Sequence, residues 1–115
     1  MSIAGVIVYQ INRDGSLDGR WTHPEVNGST GTERATGGTP GRVDGKYSVE
    51  IYDGADNAIF QGSLEIAPFG SAYSLTWVGK HLPAGSHQST FTGIGLVAKD
   101  GMLAAAFQEG VQHSE

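Results

Sequence analysis

The chain has 115 residues, 7 Lys plus Arg against 12 Asp plus Glu, a formal net charge of -5 and no cysteine. A chain this short supports one domain and excludes a multidomain enzyme. Its few, scattered basic residues argue against a phosphate-backbone binder, and the lack of cysteine rules out disulfides, thiolate metal centres and cysteine nucleophiles.

The first apolar stretch, Ile3 to Tyr9, has no basic flank and no small-residue cleavage pattern. It reads as a strand and not as a secretory leader. No apolar run approaches the ~20 residues of a membrane helix, so the expectation is a cytoplasmic protein with no membrane partner and no nucleic-acid partner. Glycine, at 18 of 115 residues, interrupts every window. Apolar residues alternate instead of recurring every three and four, which predicts strands and no helix of useful length.

Eight strands are expected, at about 3–11, 17–23, 32–36, 43–52, 58–67, 71–79, 89–98 and 102–108. The third is the least patterned. In the fourth, Tyr47, Val49 and Ile51 share one face while Ser48 and Glu50 share the other. Phe60-Gln61-Gly62-Ser63-Leu64-Glu65-Ile66 and Tyr73-Ser74-Leu75-Thr76-Trp77 alternate the same way. Turn chemistry falls between them, at Asn12-Arg13-Asp14-Gly15, Asp53 to Asn57, Pro68-Phe69-Gly70 and Lys99-Asp100-Gly101. A Tyr-led strand followed by a turn and an apolar-Gly-apolar strand recurs three times, and glycine inside a strand marks a bend or a close approach. Such bends at one place per hairpin favour closure of a small barrel. The fold class expected is all-β, an antiparallel eight-stranded up-and-down barrel over residues 1–108, with 109–115 as a flexible tail.

The strand Tyr73-Ser74-Leu75-Thr76-Trp77, with Phe91-Thr92-Gly93, Asp100-Gly101-Met102-Leu103-Ala104 and Gly19-Arg20-Trp21, resembles the rhythm of avidin-like proteins. Over most of its length the pattern is similar to the calycin barrels, including lipocalins and fatty-acid-binding proteins. No residue set matches the polar cage of biotin binding, and Gly19-Arg20-Trp21 falls on the second strand, where the lipocalin Gly-x-Trp signature does not. The resemblance implies a barrel whose mouth receives a small ligand.

Three strands are apolar on both faces. Val6 and Val8 back the first, Ile94 and Leu96 the seventh, and Met102, Ala104 and Ala106 the eighth. Closure puts these strands side by side, which predicts one apolar patch on the outer wall. Either a second copy pairs through strands 3–11, 89–98 and 102–108 in a homodimer, or the Gly/Thr-rich segment 24–45 folds over the patch.

No catalytic motif is complete. Gly93-Ile94-Gly95-Leu96-Val97-Ala98 lacks the strand-to-helix context of a dinucleotide loop. No serine elbow is present, and neither His23, His81, His87 nor His113 has metal-site spacing, so no cofactor and no metal are expected. His81 and His87 flank one loop. His23 either looks into the barrel mouth or caps a turn. The interior is either solid, with aromatics opposite glycines, or holds one small ligand.

The leading expectation is a non-enzymatic binder of a small apolar or aromatic molecule. Trp21, Tyr47, Tyr73, Trp77 and Phe91 would line its site, and His23, Glu33, Arg34 and Arg42 would orient the ligand at the mouth. The alternatives are a barrel isomerase or hydrolase using His23 with Glu33 or Arg34, and a structural or oligomerisation module acting through the outer wall.

Overall fold

A computed structural model describes residues 4–83 and 88–110. The eight strands are β1 (Gly5–Ile11), β2 (Leu17–Thr22), β3 (Gly31–Thr36), β4 (Gly45–Tyr52), β5 (Ala58–Phe69), β6 (Ala72–His81), β7 (Gln88–Val97) and β8 (Leu103–Glu109). Each pairs antiparallel with the next, and β8 pairs with β1 through Gly5–Phe107, Ile7–Ala105 and Tyr9–Leu103, so the sheet closes into an up-and-down barrel. The expected strands are all present, including the third. A single 3-10 turn, η1 (Pro24–Val26), interrupts the β2–β3 connection, and no helix is long and apolar enough to cross a membrane among the described residues. β8 runs to Glu109, so it includes the first residue of the expected tail 109–115. Residues 111–115, with His113, lie outside the described residues, as does His87, so the His81–His87 loop pair does too.

The turns form as their side chains dictate. Asp14 Oδ1 accepts from the Ser16 amide at 2.9 Å, and Asp53 Oδ1 accepts from the Ala55 and Asn57 amides at 2.9 Å each. Asp100 Oδ1 does the same for the Met102 amide. These Asx turns replace backbone partners that the hairpin ends lack.

Alternation sets the inside. Ile7, Tyr9, Leu17, Ala35, Tyr47, Val49, Leu64, Ile66, Leu75, Leu103 and Ala105 form one buried cluster. The lumen is filled unevenly along its axis. At the end carrying the turns 12–16, 37–44, 70–71 and 98–102, the β3–β4 connection folds inward. Val43 joins the core, and its carbonyl accepts the Tyr47 hydroxyl at 2.6 Å. A Cβ on Gly38 would lie 2.3 Å from the Tyr47 ring, so the loop rests directly on that tyrosine. This end is plugged. The opposite end, carrying the β2–β3, β4–β5 and β6–β7 connections, is open among the described residues.

The segment 24–45 therefore does not cover the outer wall, because part of it plugs the barrel end. On that wall the register aligns Val6, Ala106 and Ile94 in one row and Val8, Ala104 and Leu96 in the next. Val6 and Ile94 are 52% exposed, Leu96 56% and Val8 38%. Among the described residues nothing covers this apolar stripe along three neighbouring strands.

Candidate functional site

The open half of the lumen encloses a cavity of about 430 Å³. Its walls come from the mouth-proximal ends of the strands. Each inward residue there is the next or next-but-one in the period-two series that fills the core below. Trp21 of β2, Phe60 of β5, Trp77 of β6, Phe91 of β7 and Phe107 of β8 supply aromatic surface, and Ile7, Ile51 and Ile59 fill between them.

The rings interlock edge to face. Phe60 and Phe91 have centroids 5.7 Å apart at 83°, Phe91 and Phe107 6.3 Å at 74°, and Trp77 and Phe107 6.0 Å at 62°. Such pairs add to the energy of burial and resist rotation. His81 and Phe60 meet edge to face with centroids 5.4 Å apart, and His23 lies 6.2 Å from Phe107. His23 serves both expected roles. It lines the cavity, and its Nδ1 accepts from the Glu25 amide at 3.1 Å as the cap of η1.

Glu33 forms the polar floor. It is only 3% exposed. On β3 the inward set is Gly31, Glu33 and Ala35, and the outward set is Thr32, Arg34 and Thr36. Its Oε2 accepts from the Tyr9 hydroxyl at 2.7 Å and from Trp77 Nε1 at 3.2 Å. These donors come from β1 and β6, so the pair of bonds spans the lumen. Oε1 accepts nothing from a described residue. Since no side-chain polar atom is both sealed and unpartnered among the described residues, Oε1 opens on the cavity.

Burial pushes the Glu33 carboxyl up to about 7, with the Tyr9 and Trp77 hydrogen bonds holding it from rising further. Burial and the neighbouring carboxylate push the Tyr9 phenol well above its ordinary value, so it remains a donor. A carboxyl without such donors would be far costlier to bury.

Of the sequence-predicted residues, the fold brings together Trp21, His23, Glu33, Trp77 and Phe91. Four others do not line the cavity. Arg34 alternates out of the barrel and pairs with Asp18 at 2.6 Å on the outer surface, so it cannot join His23 in an enzyme site. Arg42 sits in the plug loop, paired with Asp44 at 2.7 Å. Tyr47 and Tyr73 face inward but lie at the plugged end. Tyr73 is four residues from Trp77, about 13 Å along a strand at ~3.3 Å per residue. Glu33 itself belongs on the floor, not on a mouth loop.

The prediction missed Tyr9 as the carboxylate's partner, and Phe60, His81 and Phe107 as walls. Phe60 and Phe107 were legible from alternation with Leu64 and Leu103, had the open end been known. Among the described residues no group of three or more His, Asp or Glu is placed to hold a metal ion.

No family model matches the chain, and neither a curated protein nor a solved structure shows detectable similarity to it.

Proposed function

We propose that this is a calycin-like, non-enzymatic, cytoplasmic barrel that binds a small apolar or aromatic molecule at its open end. The observation that carries the reading is the aromatic-walled cavity over a single buried carboxylate. Its volume lies within the ~300–1,000 Å³ of small-ligand sites, and one oriented polar group in an apolar wall is how such sites obtain specificity. The interlocked rings preorganise the wall, so little side-chain entropy is lost when a ligand enters.

Thermal-shift screening with small aromatic compounds tests it. A ligand at 100 times its Kd stabilises the fold by ~2.7 kcal/mol. The shift is expected to vanish in Phe91→Ala and Trp21→Ala, and to persist in Arg42→Ala, whose side chain pairs on the plug loop. Equal loss in all three variants, or no stabiliser in the screen, overturns the reading.

We also propose that the bare wall seats a second copy about a two-fold axis. Small residues, Ala104 and Ala106, run between ridges of Val6 and Val8 on one side and Ile94 and Leu96 on the other. A two-fold operation lays the ridge of one copy into the groove of the other. Ile94 and Leu96 are over half exposed, so Leu96→Glu costs the isolated barrel little. It is expected to convert a dimer to a monomer in light scattering, with cavity ligands still bound. A wild-type monomer at high concentration removes the dimer.

A further inference from the structure

We infer that the ligand of this cavity carries a cationic amine on an apolar body. The inference rests on the binding reading above and names the chemistry of the molecule bound.

The sign of the cavity is one-sided. Its charged lining residues are Glu33 on the floor and Glu25 and Glu109 nearer the rim, and among the described residues no Lys or Arg lines it. The nearest arginines by strand, Arg20 and Arg34, alternate to the outer face. Aromatic faces present negative potential to whatever they enclose, and a cation within about 6 Å of a ring face is attracted by it. A wall ring that turns its face to the cavity therefore favours the same sign of ligand as the carboxylates.

Glu33 is built to receive such a ligand. Tyr9 and Trp77 hold Oε2 from opposite sides of the lumen, at 2.7 and 3.2 Å. That fixes the carboxylate plane and leaves Oε1 as the acceptor facing the cavity. A neutral hydrocarbon that fills the space leaves Oε1 without a partner in a dry site, a cost of ~1–3 kcal/mol or more for a charged group. A carboxylate ligand meets like charge with no basic counterpart. An ammonium donates to Oε1 while its apolar body rests on Trp21, Phe91 and Phe107. The chain's net charge of -5 adds a long-range attraction of the same sign.

Calorimetric titration with three matched probes tests this at pH 8, where Glu33 is largely ionised. The probes are tryptamine, the neutral 3-ethylindole, which is the same skeleton without the amine, and the anion indole-3-propionate. Tryptamine is expected to bind at least tenfold tighter than 3-ethylindole, and the anion at least tenfold weaker than it. In Glu33→Gln the tryptamine preference is expected to fall below threefold. The three-probe comparison on the unaltered chain decides the matter even if the variant fails to fold. Tryptamine binding no tighter than 3-ethylindole overturns the cation inference and leaves the aromatic-ligand reading standing. No binding by any of the three at millimolar concentration overturns that reading itself.

Discussion

Glu33→Gln is expected to stabilise the protein at pH 8 by on the order of 3 kcal/mol, and to change its stability little at pH 5. The carboxyl ionises near 7 in the folded barrel, against the ordinary glutamate value of 4.5 in the unfolded chain. Between those values the folded state holds a proton that the unfolded state has released. Stability from this group is fully present below pH 4.5 and is lost as pH rises through 7. At ~1.36 kcal/mol per pH unit across that gap, the loss amounts to the figure above. Glutamine keeps an oxygen to accept from Tyr9 and Trp77 and carries no charge, so it mimics the protonated acid at every pH.

The groups that face Glu33 are the Tyr9 phenol from β1 and Trp77 from β6, with His23, His81, Glu25 and Glu109 around the same cavity. All of them remain in the variant, so the difference between the two chains isolates the carboxyl. Asp14, Asp18, Asp44 and Asp53 are held below their ordinary range by hydrogen bonds and, for three of them, arginines. Their contribution disappears as pH falls below about 4, outside this window. Urea unfolding at pH 5, 6, 7 and 8 measures the effect. A wild-type midpoint that is flat over this range, or one that declines equally in the variant, contradicts it.

Gly62→Val is expected to destabilise the barrel by about 3 kcal/mol, because overpacking here pushes on backbone and not on a movable side chain. Gly62 of β5 pairs with Gly79 of β6. A Cβ on Gly62 would lie 2.1 Å from the Val78 carbonyl oxygen and 2.5 Å from the Gly79 Cα. Relief would require the two strands to separate, and a closed barrel passes that strain around its ring. Ser63→Val, one residue along and on the outer face, is expected to stay within about 0.5 kcal/mol. Equal urea midpoints for the two variants would show that this pair does not govern the curvature.

The two predictions lie at different depths of legibility. Gly62 was readable as a bend or a close approach, since glycine inside an alternating strand has few other uses. Its partner across the ladder was not, because register depends on both turns of the hairpin. Glu33 was harder. In Gly31-Thr32-Glu33-Arg34-Ala35-Thr36 a charge sits on each face, and composition does not say which is buried. The buried choice is tolerable only because Tyr9, 24 residues away, and Trp77, 44 residues away, bring donors to the same oxygen.

The same limit explains the binding residues. Tyr47, Tyr73, Trp21 and Trp77 are equivalent by alternation, for all four face inward. Only the plug formed by Val43, Gly38 and Tyr47 makes one end solid and the other hollow. The outer stripe on β1, β7 and β8 needed no such information beyond closure, since the period-two rule places Val6, Ile94 and Leu96 outside once the ring is formed.

The sequence by itself determined the strands, their faces, their turns and, through recurrent glycine, a sheet that curls. These are local choices, decided by side-chain alternation and by the backbone conformations that short turns demand. The tertiary structure decided which end of the lumen stays open, which charge enters it and which aromatics meet there. Those outcomes depend on groups from distant strands satisfying one another in a dry interior, and no window of neighbouring residues contains that information.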